Sequence, residues 1–124
     1  LEGMLASLIE RSAPRKRFLR WITVAHGRSV RLIPVNDICY FQADNKYTLV
    51  VTPTAQSLIN KPIRELLEEL DPDTFLQVHR GTIVNVNAIA AVHRDLRGRC
   101  EVQLKGRSEA LQVSASYAHL FRQM

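Results

Sequence analysis

The run LQVHRGTIVNVNAI spans residues 76–89. Two short runs rich in β-branched residues flank His79-Arg80-Gly81, and the polar Asn85-Val86-Asn87 follows them. That pattern predicts two strands joined by a tight turn. Gly81 lets the backbone turn sharply beside the arginine. The turn therefore lifts Arg80 off the end of a sheet. A cation held on a rigid turn suits a phosphate or a base edge better than a reacting substrate.

Strand patterns extend outward on both sides. Trp21–Ala25, Val30–Ile33, Ile38–Ala43, Tyr47–Thr52 and Ser57–Ile59 each read as strands, with turns at Gly27-Arg28, Asp44-Asn45 and Pro53-Thr54. One helix intervenes. Pro62 is expected at its first helical position, Ile63, Leu66, Leu67 and Leu70 form its apolar stripe, and Asp71-Pro72 stops it. Beyond the opening run come strands at Ala90–His93, Cys100–Leu104 and Ala110–Val113, with an arginine-loaded tip at Asp95–Arg99 and a turn at Lys105–Arg107. Ser114 is expected to cap a last helix carrying Tyr117, Leu120 and Phe121. The fold expected is mostly β, with short antiparallel sheets and two or three small helices.

Residues 1–17 differ in character. Leu5, Leu8 and Ile9 sit at helical spacing, Ser12-Ala13-Pro14 breaks the pattern, and Arg15, Lys16, Arg17 and Arg20 follow. This reads as a short linker helix that packs on a neighbour or ends a preceding domain, followed by a solvated basic tail. Backbone-phosphate contact is the sharper alternative for the basic run.

Composition narrows the function classes. The chain has 124 residues, a net charge of +5 and a sequence pI near 9.7, which suits one domain with an anionic partner. Ordinary solubility charge explains the same numbers. Cys39 and Cys100 lie in apolar runs and read as buried free thiols. Two cysteines are too few for a secreted disulfide scaffold, so a reducing cytoplasm is expected. No apolar run approaches the roughly 20 residues of a membrane span, and no membrane partner is expected. Paired carboxylates occur only on the solvated helix face and at Asp71/Asp73, and no Gly-rich phosphate loop or GxSxG motif is present, so no enzyme is expected. His26, His79, His93 and His119 lack metal-ligand spacing, and no cofactor is expected.

Cations instead gather at turns: Lys46, Arg80, Arg94, Arg97, Arg99, Lys105 and Arg107. Asn45, Lys46 and Tyr47 form a second exposed tip beside that of Arg80. Lys105 and Arg107 are candidates for phosphate contact. A set of solvated turns is the plain alternative, and spacing alone does not choose.

The segments DICYFQADNKYTLVV (37–51), FLQVHRGTIVNVNAI (75–89), LKGR (104–107) and LQVSASYAHL (111–120) together resemble the LytTR DNA-binding domain of bacterial response regulators. The resemblance covers residues 18–124. It implies a transcription regulator that inserts loops into successive major grooves, binds paired direct repeats in promoter DNA and bends the DNA between them. It also implies an upstream receiver domain, with residues 1–17 as the end of its linker, and allows a homodimer on DNA. Position by position, it places the first contact at Asp44–Tyr47, with Lys46 foremost, and the second at Arg80, while His79 and Asn85 hold the turn. The third contact in the family is typically Ser-Arg-Arg-Tyr, where this chain has Ser114-Ala115-Ser116-Tyr117. Loss of one bidentate arginine removes about 1–3 kcal/mol of base discrimination, leaving Ser116 a phosphate contact. That departure motivates a rival expectation: a ligand- or haem-sensing, or protein-interaction, module on the same fold.

Overall fold

Ten strands, one α-helix and three one-turn 3-10 helices make up the computed structural model, which describes residues 17–122. Strands β1 (Trp21–His26) and β2 (Ser29–Pro34) pair as a separate ribbon. Strands β3 (Tyr40–Asp44), β4 (Tyr47–Val51), β5 (Gln56–Ile59), β6 (Phe75–His79) and β7 (Thr82–Asn85) form a five-stranded antiparallel sheet in the order β5-β4-β3-β7-β6. Strands β8 (Ile89–Arg94), β9 (Cys100–Leu104) and β10 (Ala110–Val113) form a three-stranded meander. Helix α1 (Ile63–Glu69) joins β5 to β6.

The period of two splits the central strands between two cores. Phe41 pairs with Val50 and Ile83, and all three join the core beneath the ribbon and α1. The next residue back, Tyr40, pairs with Val51 and Val84, and these join the core shared with the three-stranded sheet. A sheet covered on both faces needs inward-fitting residues at every position, so all four residues of β7 are buried. Phe41 is fully buried, and its ring lies 5.8 Å from that of Phe75 in a tilted pair. Fully burying such aliphatic and aromatic side chains contributes about 1.5–3 kcal/mol each. These two cores hold the sheets together and fix where the hairpin tips emerge.

Three local expectations shift. Pro62 stands one residue before α1, and its carbonyl accepts the first helical bond from Leu66. Its extended ψ of 157° keeps it outside the helix. Strand β3 starts at Tyr40 because Val35–Asp37 winds into a 3-10 turn ahead of it. The expected last helix is a turn at residues 115–117 followed by a single 3-10 turn at Ala118–Phe121. Its bonds run from Tyr117 N to Ser114 O and from Leu120 N to Tyr117 O, the i→i+3 pattern. So short a segment does not offset the cost of nucleating an α-helix. The linker helix expected near Leu5–Ile9 lies outside the described residues.

Cys39 and Cys100 are free and buried in the second core. Among the described residues no helix is long and apolar enough to cross a membrane, and no group of three His, Cys, Asp or Glu side chains is arranged to hold a metal ion.

Candidate nucleic-acid interface

Two hairpin tips emerge at one end of the central sheet. The first joins β3 to β4 through Asn45-Lys46, with Asp44 opposite Tyr47. Asn45 has φ of 56°, a left-handed conformation that asparagine tolerates better than most residues. Asn45, Lys46 and Tyr47 are all exposed. The second tip joins β6 to β7 through Arg80-Gly81, with His79 opposite Thr82. Here the Gly81 N–H donates to His79 Nδ1 at 3.2 Å. Gln77 Nε2 reaches the Arg80 carbonyl at 3.4 Å. The backbone is thus held from beneath while the Arg80 side chain stays exposed.

A third bond laces the two tips together. Ala43 N donates to Gly81 O at 2.7 Å, and a Cβ on Gly81 would sit 3.3 Å from Ala43 Cβ. Because β3 and β7 run antiparallel, with Gln42 opposite Thr82, the end of one and the start of the other coincide. Lys46 and Arg80 therefore project from the same edge.

The meander delivers its own cations to that end. Ser114 N donates to Val78 O at 2.9 Å, so the segment after β10 sits at the root of the Arg80 hairpin. Val113 lies opposite Cys100, which brings the β8–β9 tip to the same end. Asp95 organises this tip: its Oδ1 accepts from Arg97 N at 2.9 Å and from Arg99 N at 2.8 Å. Gly98, with φ of 82°, completes the loop. Arg94, Arg97 and Arg99 are exposed, as is Ser116. Half-buried Tyr117 packs on the second core and anchors the Ser116 segment. Sequence alone left the direction of the arginine tip open; the register of the meander supplies it.

Lys105 and Arg107 are not brought to this edge, which corrects their grouping with the tips. Successive hairpin turns of a meander alternate ends, so the β9–β10 turn lies opposite the β8–β9 turn. The Arg107 guanidinium donates to Thr52 O at 3.0 Å and pairs with Glu109 at 2.9 Å, and Tyr40 Oη donates to Glu109 at 3.1 Å. Thr52 follows the last residue of β4, and Tyr40 is the first of β3. That end stands about 16 Å along β4 from Tyr47, at ~3.3 Å per residue. Lys105 is exposed there, and Arg107 is committed to internal partners.

This far-end cluster is structural in its chemistry. The Arg107 bond holds the Glu109 carboxyl below the usual carboxylate range. Burial, reinforced by the bond to Glu109, pushes Tyr40 up to about 12. Burial likewise raises the Cys39 thiol. At the centre of the fold, Asn85 is 2% exposed, donates to the carbonyls of Asn36 and Ile38, and accepts from Asn87 N.

Comparison with known proteins places the chain in a family. The profile of the LytTr DNA-binding domain matches residues 28–124. An uncharacterised response regulatory protein of Vibrio cholerae is 35% identical over 106 residues, covering 82% of this chain and 40% of that protein. The positive alginate biosynthesis regulatory protein of Pseudomonas aeruginosa is 29% identical over 104 residues, covering 83% of this chain and 40% of that protein. The chain thus spans 40% of the length of these curated relatives. A solved LytTr DNA-binding domain of a response regulator from Bacillus cereus superposes with a TM-score of 0.76 at 28% identity, covering 84% of this chain and 94% of that one. The chain belongs to the LytTR family of DNA-binding domains.

Proposed function

We propose that the chain is the output module of a cytoplasmic two-component response regulator and reads promoter DNA with its tip end. The observation that carries this reading is the Ala43–Gly81 bond, which joins the Lys46 and Arg80 tips on one edge. Arg80 enters a major groove and addresses the O6 and N7 acceptors of a guanine. The Asn45-Lys46-Tyr47 tip enters the neighbouring groove. Arg94, Arg97 and Arg99 neutralise phosphates, and Ser116 donates to another. Lys105 stands outside this surface, and Arg107 braces the fold through Glu109 and Thr52. Two copies occupy direct repeats, and a receiver domain upstream in the same protein governs their engagement.

A binding-site selection from random duplexes followed by Arg80→Ala tests the assignment. The variant should bind the selected site about 5- to 150-fold more weakly, the equivalent of ~1–3 kcal/mol, and lose base preference at one position per repeat. Unchanged affinity together with unchanged preference removes Arg80 from the reading surface.

A further inference from the structure

We propose that Leu96 is a wedge: it enters the minor groove of the bound duplex and opens one base step there, while Arg97 and Arg99 hold the phosphates on either side. This inference rests on the DNA reading above and adds a third element to it. Leu96 lies in the loop of the β8–β9 hairpin, beyond the last pair Arg94–Cys100, at the same end as the Lys46 and Arg80 tips. It is 108% exposed, against 65% for Val30, the next most exposed large apolar side chain among the described residues. Its loop neighbours Asp95, Arg97, Gly98 and Arg99 offer it no apolar partner. The backbone keeps it in that position. Asp95 N donates to Arg99 O at 3.0 Å and Gly98 N to Asp95 O at 3.1 Å, which closes the loop. The Asp95 carboxylate takes the Arg97 and Arg99 amides as well. A loop tied in this way does not fold Leu96 back onto the protein, so presenting it costs little further ordering on binding.

The surroundings of Leu96 select its partner. Arg94, Arg97 and Arg99 are exposed around it, and the one carboxylate of the loop is turned to backbone amides, so the tip suits a polyanion. A duplex offers an apolar side chain few places. Phosphates and sugars take polar and cationic groups. What remains is a thymine methyl in the major groove or a base face uncovered by unstacking a step in the minor groove. Size favours the second. The major groove is ~12 Å wide and the minor groove ~6 Å, so one leucine on a narrow loop fills the minor groove and leaves the major groove mostly empty. Placement favours it too. The three-stranded sheet and the central sheet share the second core, and packed sheets stand about 10 Å apart. With the Arg80 tip seated in a major groove, a step of that size reaches the adjoining minor groove. A narrow minor groove also concentrates negative potential, which draws the flanking arginines toward it.

The test uses the 124-residue chain and the site recovered by selection from random duplexes, cut to a single repeat so that contacts between copies do not enter. Energy transfer between dyes at the two duplex ends reads the bend, and anisotropy reads affinity. The wild-type chain should bend the duplex and bind about 5- to 150-fold more weakly when the A·T pair at the wedged step is replaced by G·C. Inosine in place of that guanine removes only the minor-groove amino group and should restore binding. Uracil in place of thymine removes only the major-groove methyl and should change nothing. Leu96→Ala should straighten the duplex and erase the G·C penalty, while the base preference read by Arg80 stays intact. Its urea midpoint should match the wild type, because Leu96 is fully exposed. A Leu96→Ala variant with bend and penalty unchanged overturns the wedge. So does a loss of affinity caused by uracil, which seats Leu96 on a thymine methyl instead. If Arg80→Ala weakens binding while Leu96→Ala is silent, the wedge alone falls. If both are silent, the DNA reading falls with it.

Discussion

Salt dependence separates the two ends of the molecule most directly. Lys46, Arg80, Arg94, Arg97 and Arg99 are exposed at the tip end, and Lys105 is exposed at the far end. If each tip cation releases the counterion of one phosphate, log K falls with log salt at a slope of about −4.5. Affinity then drops roughly 500-fold between 50 and 200 mM salt. Replacing Lys46 and Arg80 together by alanine should relax the slope to about −2.7, leaving a drop of roughly 40-fold over the same range. Lys105→Ala should leave the slope where it was. Fluorescence anisotropy of a labelled duplex, titrated at several salt concentrations, measures all three. A Lys105→Ala slope reduced as much as that of a single tip variant, or a double variant with no reduction, would show that the DNA lies elsewhere on the surface.

Two further outcomes concern the scaffold. Asn85→Ala should cost about 1–3 kcal/mol, because it strips partners from the Asn36 and Ile38 carbonyls and the Asn87 N–H. An unchanged urea midpoint would contradict the role given to that amide. Tyr40 has a folded pKa of about 12, above its ordinary value of 10, so the stability it confers is complete below pH 10 and is lost as pH rises toward 12. Tyr40→Phe should flatten that alkaline loss by up to about 1.4 kcal/mol per pH unit, and parallel wild-type and variant curves between pH 9 and 11 would count against it.

Much of the fold is legible in the residues. Short polar turns set between β-branched runs mark both tip hairpins without knowledge of tertiary contacts, although the first turn falls at Asn45-Lys46, one residue after the expected Asp44-Asn45. Strands β9 and β10 fall where the apolar alternation puts them. The pairing of β7 with β3 across α1 and β6 is not local, and the adjacency of the Lys46 and Arg80 tips depends on it. Arg107 looked like a free cation because its partner carbonyl, at Thr52, is 55 residues away. The final helix misled because Tyr117, Leu120 and Phe121 have the right spacing. The backbone is extended again at Arg122, so these three apolar positions fall on little more than one turn.

The link from Ala43 to Gly81 gives the protein the character of a caliper. The bond ties the two tips at their roots, at one end of the central sheet. If both tips contact DNA as proposed, one base pair inserted between their positions would shift the second by about 3.4 Å and turn it by roughly 35° around the duplex axis. A target site would then tolerate a changed letter more readily than a changed length.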